Sequence, residues 1–178
     1  LGDAISKLKR ITQEKAPEVY VNATDFAMKE ATKTFSNLAI RSYDKFKKNA
    51  PTIAIENIYE GLGFSRAKDH EKLIEDSRKE FSKYLIEKEG IGKKEAKKIA
   101  SDRIGATWDM GHINMARSKG FTEEYIVEQT KKIAPYVKHV HLTDNFGFAD
   151  SHLVPGMGNV PIKKVMEQLE KMEKFKEM

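Results

Sequence analysis

His139, His141, Asp144, Asp150 and His152 lie in one stretch, HVHLTDNFGFADSHLVPGMG, which begins strand-like and turns polar. Imidazoles and carboxylates at this density are the side chains that hold divalent ions and move protons near neutral pH. Two earlier segments end in the same way. TIAIEN carries Glu56 directly after an apolar run, and IGATWDMGH carries Asp109 and His112 after another. Acids and imidazoles delivered at the C-terminal ends of strands sit where an α/β barrel keeps its chemistry.

Each segment admits a second reading on its own residues. Glu56 leaves an apolar run, where a carboxylate needs a cation or several donors, and a buried lysine would satisfy it as well as a metal. Asp109 and His112 are close enough across a glycine to converge on one site walled by Trp108. A helix N-cap aspartate with a surface histidine has the same spacing. His139 and His141 are two apart on a strand and share a face, and His141, nearer the strand end, is the one expected to reach the site. Gly156 and Gly158, on either side of Met157, suit backbone amides approaching an anionic or hydroxylated ligand, and suit a tight loop equally well. His70 falls on the charged face of a helix and reads as a surface residue.

The elements that must position these residues alternate between helix and strand. An N-terminal helix over residues 3–13 carries Ile5, Leu8 and Ile11 at helical spacing, and a short extended piece is expected in KAPEVYVNAT, residues 15–24. A long helix over 24 to about 48 shows an apolar stripe of Ala27, Ala31, Phe35, Leu38, Ser42 and Phe46, expected to face the core. Pro51 precedes Ile53, Ala54 and Ile55, a continuous apolar run that suits a parallel strand covered on both faces. A helix over 65–89 is broken by Gly90 and Gly92, and a short helix over 93–101 follows. Next come a strand over 104–108, a helix over 122–134, a strand over 137–142 and a helix opening near Pro161. This is the pattern of βαβ units in a parallel sheet.

Composition narrows the chemistry further. With 178 residues, 33% of them charged, the chain is long enough for one globular domain with a real core. Without cysteine, any metal must sit among His, Asp and Glu, and disulfides and cysteine nucleophiles are excluded. The net charge of +5 comes mainly from lysines interleaved with glutamate on helical faces, which reads as solvated surface rather than a nucleic-acid footprint. No apolar run approaches the ~18 residues of a membrane span, and LGDAISKLKR lacks the apolar block of a signal peptide, so a cytoplasmic protein with no membrane partner is expected. The chain opens at Leu1 without an initiator methionine and stops at Met178 in a helical pattern. We therefore expect a piece of a larger protein, a single partial domain over 1–178 with its motifs in 51–178 and a helical insertion at about 66–103.

In their order and spacing, IENIYEG, TWDMGH and HVHLTDN with DSHLVPGMGNV resemble the xylose isomerase-like TIM-barrel superfamily. That superfamily contains sugar phosphate isomerases and epimerases and the endonuclease IV group of abasic-site nucleases. The resemblance runs from Pro51 to the end and implies an α/β fold, the C-terminal part of a TIM (β/α)8 barrel, with these motifs on the fifth, sixth and seventh strands. It implies Glu56, Asp109 and His141 as metal ligands, His112 beside them as ligand or substrate contact, and Asp150 and His152 in the loop after the seventh strand. Around that set we expect Asn57, Trp108, Asp144, Gly156 and Gly158 to contact substrate. The family's first strands with their histidines, and its eighth strand with a closing glutamate, have no counterpart here, and Met157 stands where many relatives carry glutamate. Three or four strands cannot close a barrel, so open edges and self-association into a homo-oligomer are expected of the isolated chain.

The resemblance implies a sugar or sugar phosphate isomerase or epimerase. A divalent manganese, magnesium or cobalt ion chelates adjacent sugar oxygens while a carboxylate moves the proton beside the carbonyl. Glu56 is then ligand and one candidate base, His112 donates to the substrate, and the eighth-strand glutamate, without counterpart here, would be the second base. The alternative is a phosphodiesterase of the endonuclease IV type, in which zinc ions act on an abasic site in DNA and Asp150 and His152 resemble the zinc-binding pair. Nothing arginine-rich or aromatic marks a DNA-tracking loop, and the sugar reading is preferred.

Overall fold

The computed structural model describes residues 2–13 and 22–172. Three short strands, β1 (Ile53–Glu56), β2 (Ile104–Asp109) and β3 (Val137–His141), form one parallel sheet in the order β1-β2-β3. The helices are α1 (Gly2–Gln13), α2 (Ala23–Phe46), α3 (Ala67–Glu87), α4 (Lys93–Arg103), α5 (Met110–Asn114), α6 (Glu123–Ile133) and α7 (Ile162–Glu170). Parallel neighbours need a crossover, supplied by α3 and α4 between β1 and β2 and by α5 and α6 between β2 and β3. The mixed α/β architecture and parallel sheet expected from the sequence are those of part of a TIM barrel. Among the described residues no helix is long and apolar enough to cross a membrane.

Register decides which side chains share a face. Ile55 pairs with Ala106 and Trp108 with Val140, and these side chains meet the helical layer. Glu56 pairs with Thr107, Thr107 with His139 and Asp109 with His141, which places the chemistry-bearing residues together on the opposite face. An irregularity beside Ala106 and Thr107 adds one residue to β3, Lys138. In an unbroken one-to-one register Lys138 would pair with Thr107 and His139 with Trp108, and His139 and His141 would fall on the helical side, because a one-residue slip inverts every side chain beyond it.

The core lies between the sheet and α3, α4, α6 and α7. Leu73, Ile74, Phe81 and Leu85 of α3 are fully buried against Ile104, Ala106 and Trp108 of β2, together with Ile126 and Ile133 of α6 and Val165 and Leu169 of α7. Each such aliphatic or aromatic side chain contributes about 1.5 to 3 kcal/mol on leaving water. β2, the central strand, is buried at every position, as expected of a parallel strand covered on both faces.

Two sequence expectations need correction. The apolar stripe on α2 is partly displaced: Met28, Ser36, Ala39 and Tyr43 are buried and Ala31 and Phe35 pack against the core half-buried, while Ala27, Leu38 and Phe46 are exposed. α2 carries apolar residues on more than one face, and Tyr43 settles the docked side by packing edge-on against Phe81 of α3 at 5.8 Å. His70 is not a surface residue. It is fully buried, with Nε2 2.9 Å from the Ile55 carbonyl, so the imidazole joins α3 to β1 one residue before Glu56. The extended piece expected within residues 15–24 lies, up to residue 21, outside the described residues.

Candidate functional site

The three strands end side by side, and their last residues make the floor of the site. Glu56 closes β1 and is exposed; Asp109 closes β2 and is 0% exposed. His141 closes β3, with Nδ1 2.8 Å from Glu56 Oε1 and 3.3 Å from Asp109 Oδ2.

Asp109 is also the N-cap of α5. Its Oδ1 accepts hydrogen bonds from the Gly111 N–H at 2.7 Å, the His112 N–H at 3.1 Å and the Thr143 hydroxyl at 2.8 Å. The two oxygens of this carboxylate are treated very differently. Oδ2, equally buried, has no hydrogen-bond partner. A buried carboxylate oxygen left without a donor is costly unless a cation meets it.

α5 then turns His112 back over the strand ends. Its Nδ1 lies 2.7 Å from the Asn57 carbonyl. A carbonyl only accepts, so Nδ1 carries the hydrogen, and Nε2 holds a lone pair in the neutral ring or a second N–H in the charged one. Nε2 points to Asp150 Oδ2 at 3.1 Å and lies 4.0 Å from Asp109 Oδ2. Burial opposes the imidazolium, but the Asn57 carbonyl and the charges of Asp109 and Asp150 outweigh it, and the His112 pKa stands above the ordinary histidine value. The Tyr59 ring meets the imidazole edge-on at 5.8 Å.

The loop after β3 brings the last two residues. His152 Nε2 lies 3.1 Å from the same Asp150 Oδ2, while Asp150 Oδ1 is buried without a partner. His152 holds this position with φ of 48°, in the left-handed region that L residues enter at a cost. Two groups of three thus have ligand atoms within 4.8 Å of one another, Glu56 with Asp109 and His112, and His112 with Asp150 and His152. Each group contains one buried carboxylate oxygen that accepts no hydrogen bond, Asp109 Oδ2 in the first, with His141 Nδ1 3.3 Å away, and Asp150 Oδ1 in the second. This donor set fits divalent cations bound by oxygen and imidazole.

The sequence-predicted substrate contacts behave otherwise. Asn57 is fully buried, and its amide donates to the Asp109 carbonyl at 3.1 Å and accepts the Asp109 N–H at 2.7 Å. It extends the β1–β2 ladder by one side-chain rung and is buried away from the open face of the site. Trp108 does not wall the site. It is 0% exposed, and its indole N–H donates to Thr130 of α6 at 3.0 Å, because neighbouring residues of a strand point to opposite faces.

Asp144 is likewise internal. Its carboxylate accepts the backbone N–H groups of Asn145, Gly156, Gly158 and Val160 at 2.8 to 3.0 Å. The glycine amides expected to meet an anionic ligand therefore meet the chain's own carboxylate. A Cβ at Gly158 would collide with Asp144 Oδ1 and the Asn145 carbonyl, so only glycine fits the wrap.

Sequence reasoning missed Thr143, whose hydroxyl reaches Asp109, although it continues the two-residue alternation of His139 and His141. It also missed the two exposed aromatics of the loop, Phe146 and Phe148, the latter 79% exposed two residues before Asp150.

Comparison with known proteins follows the same lines. Residues 92–176 match the family model described as xylose isomerase-like TIM barrel. An uncharacterized protein of Methanocaldococcus jannaschii is 40% identical over 76 residues, which is 43% of this chain and 25% of that protein. A solved structure of a D-tagatose 3-epimerase-like protein superposes with a TM-score of 0.58 at 23% identity, covering 87% of this chain and 48% of the other. The chain thus spans about a quarter of the curated relative it matches and about half of the solved structure.

Proposed function

We propose that the protein carrying this chain, whose residues 92–176 match the xylose isomerase-like TIM barrel family model, is a metal-dependent sugar or sugar phosphate isomerase or epimerase. The observation that carries this reading is the meeting of Glu56, Asp109 and His141 at adjacent strand ends around the unpartnered Oδ2 of Asp109. The similarity of fold to a D-tagatose 3-epimerase-like protein supports the sugar class.

Glu56, Asp109 and His141, with His112 beside them, would hold the ion, and oxygen-rich ligation with one or two imidazoles suits manganese, magnesium or cobalt. Such an ion supplies chelation of adjacent sugar oxygens and acidifies the carbon beside the carbonyl. Glu56, exposed at the site, is one candidate base for the carbon proton, and inversion in an epimerase needs a second acid or base on the opposite face of the substrate. His112, with Nδ1–H fixed on the Asn57 carbonyl, uses Nε2–H in its charged form to donate to a substrate oxygen. Asp109 holds His112 in place through the backbone N–H it caps.

The test is solvent-hydrogen exchange at the substrate carbon next to the carbonyl, measured on the full-length protein across a panel of aldoses and ketoses with and without phosphate. Exchange that requires a divalent ion and stops with chelator is expected. A panel with no exchange under manganese, magnesium or cobalt would remove the sugar reading.

One observation favours a second reading, a zinc-dependent phosphodiesterase of the endonuclease IV type. The group His112, Asp150 and His152 offers room for a further ion, and the exposed Phe146 and Phe148 beside it offer stacking surface for bases. More than one zinc per chain, together with cleavage of abasic duplex DNA that weakens steeply with salt, is the outcome this reading expects.

A further inference from the structure

Asp109 reaches the site with only one oxygen, and the geometry points to Thr143 as the positioning residue that enforces this. The inference rests on the metal reading above and concerns a residue which that reading leaves out.

Oδ1 of Asp109 is met by three donors, and Oδ2 by none. A carboxylate oxygen with three donors has no lone pair free for a cation. A carboxylate whose two oxygens are so divided binds through one atom. Two of the donors are backbone N–H groups of α5 that any residue would supply at those positions. The third is the Thr143 hydroxyl, the single side-chain donor, and it comes from the far side of the site in the segment that leaves β3.

Thr143 is therefore the one donor a substitution can remove without unfolding α5. Its hydroxyl is held in place: Asn145 of the same loop bonds the Gly111 carbonyl at 2.9 Å, and a Cβ at Gly111 would collide with the Thr143 oxygen. Thr143 thus fixes the rotation of the Asp109 carboxylate and ties the end of β2 to the loop carrying Asp150 and His152. Partners that orient a ligating side chain in this way commonly change metal affinity about 10- to 100-fold when removed.

The experiment compares Thr143→Val, which keeps the shape and loses the donor, with Thr143→Ser, which keeps the donor. Both are made in the full-length metal-free protein and titrated with manganese by calorimetry, with thermal midpoints recorded alongside. We expect Thr143→Val to weaken manganese binding about 10- to 100-fold, and Thr143→Ser to restore wild-type affinity. Equal manganese affinity in wild type and Thr143→Val overturns the inference, as does a Thr143→Ser variant as weak as Thr143→Val. A wild-type protein that binds neither manganese nor zinc overturns both this inference and the metal reading beneath it. Wild-type binding that is unchanged by Thr143→Val removes the inference alone.

Discussion

Asn57 and Asp109 exchange two hydrogen bonds across the ends of β1 and β2, the Asn57 amide donating to the Asp109 carbonyl and accepting the Asp109 N–H. The Asn57 carbonyl in turn receives Nδ1–H of His112. One buried amide thus sets the height of Asp109 over the sheet, and its own main chain sets the tautomer of His112. Asn57→Ala leaves a buried N–H and C=O without partners, each costing about 1 to 3 kcal/mol. Urea unfolding of the variant should show a loss of about 2 to 6 kcal/mol, and a loss within experimental error would mean that water replaces the amide.

Alanine at any two of Glu56, Asp109 and His141 should abolish the rise in thermal midpoint that manganese or zinc gives the wild-type protein. An ion present at a hundred times its dissociation constant adds about 2.7 kcal/mol of stability, well within reach of a thermal shift. A pair of alanines that keeps the shift and the bound ion would show that the strand-end residues are not the ligands.

Trp108→Phe removes the hydrogen bond to Thr130 and part of the core contact while leaving the site face untouched. We expect stability to fall by about 1 to 3 kcal/mol and manganese affinity to stay at the wild-type value. A change in affinity without a change in stability would return Trp108 to the site.

Acid titration isolates Asp144. Burial favours its neutral form, but four backbone N–H groups outweigh this and hold its pKa below the ordinary aspartate value. The folded protein therefore binds the Asp144 proton less readily than the unfolded chain does. Its contribution is full above the unfolded pKa of about 3.9 and is lost as pH falls through the folded value. Asp144→Asn should lower stability at pH 7 by about 2 kcal/mol and flatten the decline of stability at the acid end. Parallel acid limbs in the two proteins would contradict this.

His70 gives a second pH window. Burial lowers its pKa in spite of the bond to the Ile55 carbonyl. The unfolded chain takes up the proton first, so stability is full above about pH 6.5 and falls as pH drops toward the folded value. His70→Gln, which does not titrate, should lose less thermal stability than wild type between about pH 6.5 and 5. His112, shifted upward, acts with the opposite sign in both proteins and cancels in the comparison.

Much of the candidate site was legible because its signals are local. A strand's two-residue period assigns Asp109 and Trp108 to opposite faces, and His139, His141 and Thr143 to one. Consistent use of that period would have excluded Trp108 from the site and brought Thr143 into it. Asp109 as N-cap and Asp109 as candidate ligand read as alternatives, yet the cap uses Oδ1 and leaves Oδ2 without a hydrogen-bond donor, so one role does not exclude the other.

The amino-acid sequence by itself determined the order of strands and helices, the parallel α/β class and the delivery of acids and imidazoles at three strand ends, because apolar periodicity and strand-terminal polarity are written in neighbouring residues. Tertiary structure alone decided that His70 turns inward, that α2 docks on Met28, Ala39 and Tyr43, and that Asn57, Asp144 and the two glycines serve the scaffold. Those outcomes depend on partners far along the chain. Asn57 bonds a residue 52 positions away and His141 one 85 positions away, and no local pattern encodes which buried donor a given acceptor will meet.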